Sequence, residues 1–338
     1  LEQDLSMITK GLSFYAGGSY DNASNLRERS VKGYQYGWNY YDAAGNMAET
    51  VMGTVEDKLR FSNWVDSQWR IATMNVGLKY GTQFANGDHL GLNANYNIKG
   101  EFRDGQHHTW YRANGQLATH YDHADKFVAD LVLAANGSNR CYPAKWAFSP
   151  TLGLGYIFAN NNDDDAFFNY GKIRGSAGIQ HTDFAPEAGL WLSPWDASHG
   201  SYVHSTNFAV SWGAFLQAFP TKNFLQETAY KSNIGTDIRL MNSLDLTVDA
   251  FYQQRTNILV PANQLNSAVV GIQSAYDDKG AVTSYGVEAG LRYAKTFYND
   301  LNIYGGAMVT AYKSRIDAWI ENPAYDNLSI IGDAADAA

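Results

Sequence analysis

The sequence has a single cysteine, Cys141, among 338 residues. A lone cysteine excludes an internal disulfide and any zinc ribbon or other site that needs several thiolates, and it leaves the redox compartment undecided. Proline is also scarce, at 7 residues, and charged residues make up only 17% of the chain. Together with 14% aromatic residues and 31 glycines, these shortages exclude a coiled coil, a collagen-like chain and a disordered acidic tail.

Basic residues are in the minority, with 25 Lys and Arg against 34 Asp and Glu. A chain without basic excess lacks the electrostatic footprint that phosphate backbones require, so we expect no nucleic-acid partner. The sequence also lacks any run of about 18 consecutive apolar residues, which excludes an ordinary membrane helix. A membrane β-barrel remains open, because its strands alternate apolar with polar residues and escape window-averaged hydropathy.

Alternation with a period of two is the pattern that the chain has in abundance. The segment 244–253 places Leu246 and Val248 on one face and Asp245 and Asp249 on the other, as a strand between two different environments does. The same alternation predicts about eleven strands and no amphipathic helix. The predicted strands are GLSFYAGGSY, RIATMNVGLKY, HLGLNANYNIK, a weaker one near 109–121, KFVADLVLAA, FSPTLGLGYIF, GKIRGSAGIQ, YKSNIGTDIRL, LDLTVDAFYQQRT, TSYGVEAGLRYA and LNIYGGAMVTAYK.

The connections between the predicted strands differ strongly in length. Short or medium ones lie at 81–88, 122–125, 159–170, 242–243 and 298–300, and long polar ones at 21–68, 181–207 and 257–282. Short turns at one end and long loops at the other are typical of an outer-membrane barrel, with the long loops outside the cell. Aromatic residues such as Phe84, Phe127 and Phe297 gather near the short turns, as an interfacial girdle would. A soluble β-sandwich also alternates and carries aromatics, and it stays open as an alternative.

One stretch carries a more specific signal. The sequence reads NFLQETAYKSNIGTDIRLMNSLDLTVDAFYQQRTNILVP over residues 223–261, and DDKGAVTSYGVEAGLRY follows after a loop. It resembles the late-barrel region of the SusC/RagA-type TonB-dependent transporters of Bacteroidota. The matching motifs are Glu227 with Thr228, 233–237, 246–252, 255–259 and 280–288.

Earlier segments resemble the same family in the same order. ANGSNRCYPAKWAFSPTLGLGYIFAN is similar to a loop and the strand after it, and GKIRGSAG and DLSMITKGLSFYAGGSYD are similar to two other strands. Asn136, Tyr156 and the pair Leu225-Gln226 depart from the residues usual in the family. The resemblance spans nearly the whole chain, and these departures leave it intact.

The resemblance implies an all-β fold, a transmembrane antiparallel β-barrel of which this chain forms about half. Barrels plugged by an internal domain have about 22 strands, and an odd number such as eleven would not close a bacterial single-chain barrel. We therefore expect residues 1–338 to be a partial outer-membrane barrel domain, with the plug domain and the terminal strands outside this sequence. The segments 11–20 and 301–313 are expected to pair with strands outside it.

The resemblance also implies active import of a bulky nutrient, either a glycan or oligosaccharide or a peptide, across the outer membrane of a Gram-negative bacterium. The implied partners are a SusD-like surface lipoprotein acting as a lid, TonB-ExbB-ExbD acting through the plug, the lipid bilayer, and a second transporter-lid pair in a dimer. A complete smaller barrel acting as a passive porin or adhesin stays open, as does a soluble carbohydrate-binding sandwich. We expect no enzyme, because the sequence has no Gly-x-Ser-x-Gly or His-Glu-x-x-His motif.

Two groups of residues are candidates for contact with a solute. Aromatic side chains beside carboxylates in the long loops suit stacking on a sugar ring, and they suit a protein partner equally. These loop aromatics are Tyr34, Trp38, Tyr40, Trp191 and Trp195. Charges of both signs also share one face of the predicted strands; in a barrel that face lines the lumen and contacts water, the plug or solute. These lumen-wall residues are Lys231, Asp237, Arg239, Asp245, Asp249, Glu288 and Arg292.

Histidines and one polar run are candidates for a metal site. The pairs His107-His108 and His120-His123 supply imidazoles, but no predicted helix face holds them in ligand geometry. The run 160–165 has enough oxygen atoms for calcium, although a solvated, chain-reversing segment is the simpler interpretation. We therefore expect no metal and no cofactor, with calcium as the one alternative.

Overall fold

A computed structural model describes residues 1–55, 58–103, 109–124, 126–161, 166–184, 190–193, 195–204, 209–262, 268–272, 276–297 and 301–335. Most of these residues lie in antiparallel β-strands, as predicted, and two 3₁₀ turns at Ala268–Val270 and Asp326–Leu328 are the only helical elements among them. The strands are β1 Glu2–Asp4, β2 Leu12–Val31, β3 Tyr36–Tyr41, β4 Met47–Met52, β5 Arg60–Gln83, β6 His89–Arg103, β7 Trp110–His123, β8 Phe127–Ser138, β9 Trp146–Asn160, β10 Phe168–Thr182, β11 Trp195–His204, β12 Ala209–Leu216, β13 Glu227–Leu240, β14 Leu244–Pro261, β15 Tyr276–Phe297 and β16 Leu301–Ala318.

The chain divides into two compact units. The smaller unit, Ser19–Ala72 with Glu101–Thr109, contains the β3–β4 hairpin and residues 19–31 and 60–72 of β2 and β5. The larger unit comprises Leu1–Gly18, Thr73–Gly100 and Trp110–Ala338. The main sheet has twelve strands in the order β1-β2-β5-β6-β7-β8-β9-β10-β13-β14-β15-β16, and β11 and β12 pair only with each other. Strands that are neighbours in the sheet are therefore also neighbours along the chain, once the two inserted hairpins are set aside.

All eleven predicted strands are confirmed as members of the twelve-stranded sheet, and β1 is the strand of that sheet that the pattern missed; the hairpin strands β3, β4, β11 and β12 were also missed. Three residues are too few for alternation to be visible in a sequence. The predicted odd strand count is therefore wrong. Because β1 pairs with Ser13–Tyr15, the expectation that 11–20 pairs outside the chain is also wrong at those residues.

The predicted short connections are confirmed where the structure describes them, and the long ones are shorter than predicted. Three residues, 241–243, join β13 to β14, and five, 84–88, join β5 to β6. By contrast, much of the predicted loop 21–68 is strand, since β2 runs to Val31, β5 begins at Arg60 and a hairpin lies between them. Strands also enter the predicted loops 181–207 and 257–282. Polar residues hid these extensions, because a strand that is solvated on both faces has no apolar period.

The strand registers show that the apolar sets form one continuous face. Residues directly opposite each other on neighbouring strands lie on the same side of a sheet. Ile238 on β13 is opposite Leu246 on β14, which is opposite Leu291 on β15, which is opposite Ala307 on β16. We call this side the apolar face and the other side, which carries Asp245 and Asp249, the polar face.

The apolar face is not covered by protein in the part of the chain that the structure describes. Ile234 is 62% exposed and Val287 49% exposed, and only six hydrophobic residues are buried among those described. A soluble sandwich would bury this face against a second sheet, and soluble proteins rarely leave so extended an apolar surface exposed. The sandwich alternative does not fit this structure.

The described residues contain no helix whose length and hydropathy would let it cross a membrane.

The tightest packing lies at the end of the sheet that carries the long connections. Cys141 and Phe224 form a small buried core there, with Leu190 and Leu259 packed against it.

β16 forms one edge of the sheet, and its residues 301–313 are exposed on both faces.

Candidate functional site

An ion-pair network spans three strands of the polar face. Arg174 on β10 donates from Nε to Asp237 on β13 at 3.0 Å and from Nη2 to Asp249 on β14 at 2.6 Å. The three side chains are only partly exposed, with Asp249 the most buried at 15%. A guanidinium that binds carboxylates on two different strands fixes the relative positions of β10, β13 and β14.

A glycine opposite Asp249 makes room for this network. Gly235 on β13 is the direct cross-strand neighbour of Asp249. A Cβ atom at Gly235 would lie 2.3 Å from Asp249 Oδ1 and 3.0 Å from the carbonyl oxygen of Val248. The absent side chain therefore lets the carboxylate lie over β13 and reach Arg174.

The structure places all seven predicted lumen-wall residues on the polar face. Arg239 donates to Asp245 at 2.6 Å, Asp237 and Asp249 belong to the Arg174 network, and Lys231, Glu288 and Arg292 are exposed. Glu288 lies directly opposite Asp249, and Arg292 directly opposite Asp245. Most of these residues line a concave region of about 1490 Å³. Charges of both signs lie on this wall, which suits binding a polar surface rather than an ion of one sign.

The predicted loop aromatics fall in different units of the chain. Tyr34, Trp38 and Tyr40 belong to the smaller unit, where Trp38 and Tyr40 lie on the same face of β3 and are 51% and 46% exposed. Trp191 and Trp195 belong to the larger unit, and Trp195, at the start of β11, is 66% exposed. Exposed aromatics of this kind are available for stacking on a ligand or a partner.

A second polar cluster, which the sequence did not predict, lies beside the Cys141–Phe224 core. The carboxylate of Asp183 accepts a bifurcated hydrogen bond from Arg112 Nε, which lies 2.8 and 2.7 Å from its two oxygens, and a second hydrogen bond from the Ser138 hydroxyl at 2.6 Å. Arg140 stacks on Trp110, with its guanidinium carbon 3.1 Å from the ring centroid. We call Arg112, Ser138, Cys141, Asp183 and Phe224 the loop-base cluster.

Two ionisable groups in the loop-base cluster have shifted pKa values. Burial by itself raises the pKa of Asp183, but the hydrogen bonds from Arg112 and Ser138 and the nearby guanidinium charges more than offset it, so this pKa lies below its ordinary value. Burial, reinforced by the charge of Asp183, raises the pKa of Cys141 to about 12. Asp183 is thus a carboxylate at neutral pH and Cys141 an unreactive thiol.

The histidines do not converge on a common metal position. His120 Nδ1 lies 2.7 Å from Asp130 Oδ1, whereas His123 Nδ1 lies 2.8 Å from Asp88 Oδ1. Within the described ranges no group of three or more His, Cys, Asp or Glu side chains could hold a metal ion. His107, His108 and most of the run 160–165 lie outside the described residues.

Arg174 and Asp183 are the two central residues that sequence reasoning missed. Arg174 lies in the predicted strand GKIRGSAGIQ, but its partners lie on β13 and β14, beyond the inserted β11–β12 hairpin. Their register therefore could not be counted along the chain. Asp183 follows β10 directly, and a polar residue at a strand end looks like ordinary loop in a sequence.

The comparisons with solved structures concern the fold. The structure titled as the RagAB peptide importer in the 'closed-closed' state matches with a TM-score of 0.68 at 12% identity, covering 93% of this chain and 35% of that chain. Its 'open-open' state matches with a TM-score of 0.62 at 13% identity, covering 91% and 34%. The outer membrane transporter YddB from Escherichia coli matches with a TM-score of 0.53 at 9% identity, covering 91% and 47%. This chain thus spans about a third of the RagAB chain that it matches.

Two sequence comparisons complete these findings. No curated protein matches this sequence. The family model described as TonB dependent receptor-like, beta-barrel, matches residues 109–334, which is well over half of the chain. The match includes β7 to β16, and with them the Arg174 network and the loop-base cluster. The chain therefore belongs to the TonB dependent receptor-like β-barrel family.

Proposed function

We propose that this chain forms part of the wall of a SusC/RagA-type transporter in the outer membrane of a Gram-negative bacterium. The observation that carries this proposal is the difference between the two faces of one sheet. The apolar face is exposed over β13 to β16, while the polar face holds the Arg174 network. A barrel wall with lipid outside and a polar lumen inside needs this arrangement.

The proposed activity is TonB-dependent import of a bulky nutrient, a glycan or oligosaccharide or a peptide. The similarity of fold to the RagAB peptide importer supports this activity. The extended polar wall and its concave region of about 1490 Å³ suit a large polar solute better than a small ion. Exposed aromatics such as Trp38 and Trp195 suit either a sugar ring or a peptide, so the solute class is decided by experiment.

The proposed partners act at opposite ends of the barrel. A SusD-like lipoprotein would cover the segments that the sequence predicted as long connections, 21–68, 181–207 and 257–282, and these segments would lie outside the cell. TonB-ExbB-ExbD would act from the periplasm through a plug that docks on the polar face, and transporter-lid pairs would associate as dimers. β16 would pair with a further barrel strand along residues 301–313, where both of its faces are exposed.

Uptake by cells that produce the full-length protein tests the proposed function. Cells would receive fluorescent oligosaccharides in one series and fluorescent oligopeptides in another, with and without an uncoupler of the proton gradient. We expect one series to accumulate and the uncoupler to abolish it, because TonB draws on that gradient. Accumulation that persists with the uncoupler would instead support a passive porin.

A further inference from the structure

Three connections at one end of the sheet meet in the loop-base cluster. They are residues 139–145 between β8 and β9, the described residues 183–184 and 190–193 between β10 and β11, and 217–226 between β12 and β13. Asp183, only 9% exposed, belongs to the second connection and is held by Arg112 on β7 and Ser138 at the end of β8. One carboxylate therefore fastens the second connection to two strands.

The third connection is fastened to the first by its backbone. Tyr142 and Phe224 exchange two backbone hydrogen bonds, at 2.9 and 2.7 Å. Gln226, also in the third connection, donates from Nε2 to the carbonyl oxygens of Asn136 and Lys145 at 3.0 and 3.1 Å. The first and third connections are thus joined by hydrogen bonds of the backbone and of the Gln226 side chain.

The same contacts hold the two ends of the β11–β12 hairpin together. The chain enters the hairpin after Leu190 and leaves it before Thr221, and Thr221 N donates to Leu190 O at 2.7 Å. Leu190 also packs on Cys141 and Phe224, which are 0% and 2% exposed. Both ends of the hairpin are therefore anchored beside one buried cluster.

We propose that Asp183 is the latch of a rigid base for the β11–β12 hairpin, and that the three connections loosen together when its contacts break. The physical reason is the cost of partial opening. If the second connection moved alone, Arg112 and Ser138 would lose a shared carboxylate, and Leu190 would leave Cys141 and Phe224 unpacked. The contacts therefore form and break as a unit, which makes the base a two-state element.

Cys141 provides a reporter for this motion, because a buried thiol reacts only when its surroundings open. The experiment uses the full-length protein purified in detergent. The rate at which N-ethylmaleimide labels Cys141 is measured by mass spectrometry, and hydrogen exchange is followed at peptides containing Tyr142 and Phe224. The variants are Asp183→Asn and, as a control, Asp245→Asn, which breaks an Arg–Asp pair on the polar face.

For Asp183→Asn we expect labelling of Cys141 to accelerate about tenfold or more, the size that a lost hydrogen bond to a charged group implies. Exchange should accelerate at both Tyr142 and Phe224, and Asp245→Asn should change neither readout. Unchanged labelling of Cys141 overturns the proposal, as does faster labelling without faster exchange at Phe224. If Asp183→Asn does not give a heat-modifiable folded barrel, Ser138→Ala decides, because it removes one donor at little steric cost and should accelerate both readouts about threefold.

Discussion

Arg174 on β10 reaches across β13 to Asp249 on β14, with 2.6 Å between Nη2 and Oδ2. One side chain therefore contacts a strand two places away in the sheet. Ordinary cross-strand pairs join neighbouring strands only. The contact makes Arg174 the central residue of the polar face. Replacing it should weaken the contacts among β10, β13 and β14.

Replacing Arg174 by Met should lower the free energy of unfolding by about 1 to 2 kcal/mol, since hydrogen bonds to charged groups contribute this much when the pair is partly exposed. The substitution leaves Asp237 and Asp249 as neighbouring carboxylates without their shared cation. Urea unfolding of the purified barrel measures the change. Lys231→Met, on the same face and exposed, is the matched control and should change stability by less than about 0.5 kcal/mol.

Gly235→Ala should destabilise the protein by about 1 to 3 kcal/mol, the usual range for overpacking. Its Cβ would lie 2.3 Å from Asp249 Oδ1, so the carboxylate must leave Arg174. Gly290→Ala is the matched control, because a Cβ there meets nothing within 4 Å. In an Asp249→Ala background the cost of Gly235→Ala should fall clearly; an undiminished cost would show that the clash with Asp249 is not the cause.

Placing Arg at Val248 or Leu291 should cost about 2 to 4 kcal/mol if the apolar face contacts the middle of the bilayer. Thr247→Arg, one residue from Val248 but on the polar face, should cost far less. The measurement is the yield of folded, heat-modifiable barrel after refolding into lipid vesicles. Equal yields for Val248→Arg and Thr247→Arg would contradict the assignment of the faces.

The stability that Asp183 contributes should depend on pH only below about pH 4. Its pKa in the folded protein lies below the ordinary value of 3.8, so its contribution is fully present above that value and is lost as the pH falls through the folded-state pKa. The difference in unfolding free energy between the natural protein and Asp183→Asn measures it. We expect a constant difference from pH 5 to 8 and a shrinking one below about pH 4. A difference that shrinks between pH 5 and 7 would contradict the assigned pKa direction.

The sequence predicted those features that depend on local period. Leu246, Val248, Asp245 and Asp249 alternate in the sequence, and the structure confirms their two faces because a strand's side chains must alternate. The eleven predicted strands and the short joint before Leu244 are confirmed for the same reason. Glu2–Asp4 was missed because it is too short to show a period.

The features that depend on long-range pairing could not be predicted. Arg174 contacts Asp237 and Asp249 only because β10 pairs with β13. The residues inserted between those two strands show no sequence pattern from which their register could be predicted. Asp183 is buried by connections that meet in three dimensions. No local pattern marks a loop carboxylate as the centre of such a cluster.

Determining which face of the sheet contacts lipid is the decisive test of the proposed barrel wall. Nitroxide labels would be placed at Val287 and Glu288 in separate variants of the full-length protein, reconstituted into vesicles. Their collision rates with oxygen and with a water-soluble nickel complex would be measured by electron paramagnetic resonance. If the apolar face contacts lipid, the label at Val287 will collide mainly with oxygen, which concentrates in lipid, and the label at Glu288 mainly with the nickel complex. Equal accessibility of the two labels to the nickel complex, or the reverse preference, would contradict a barrel wall with this apolar face in the membrane.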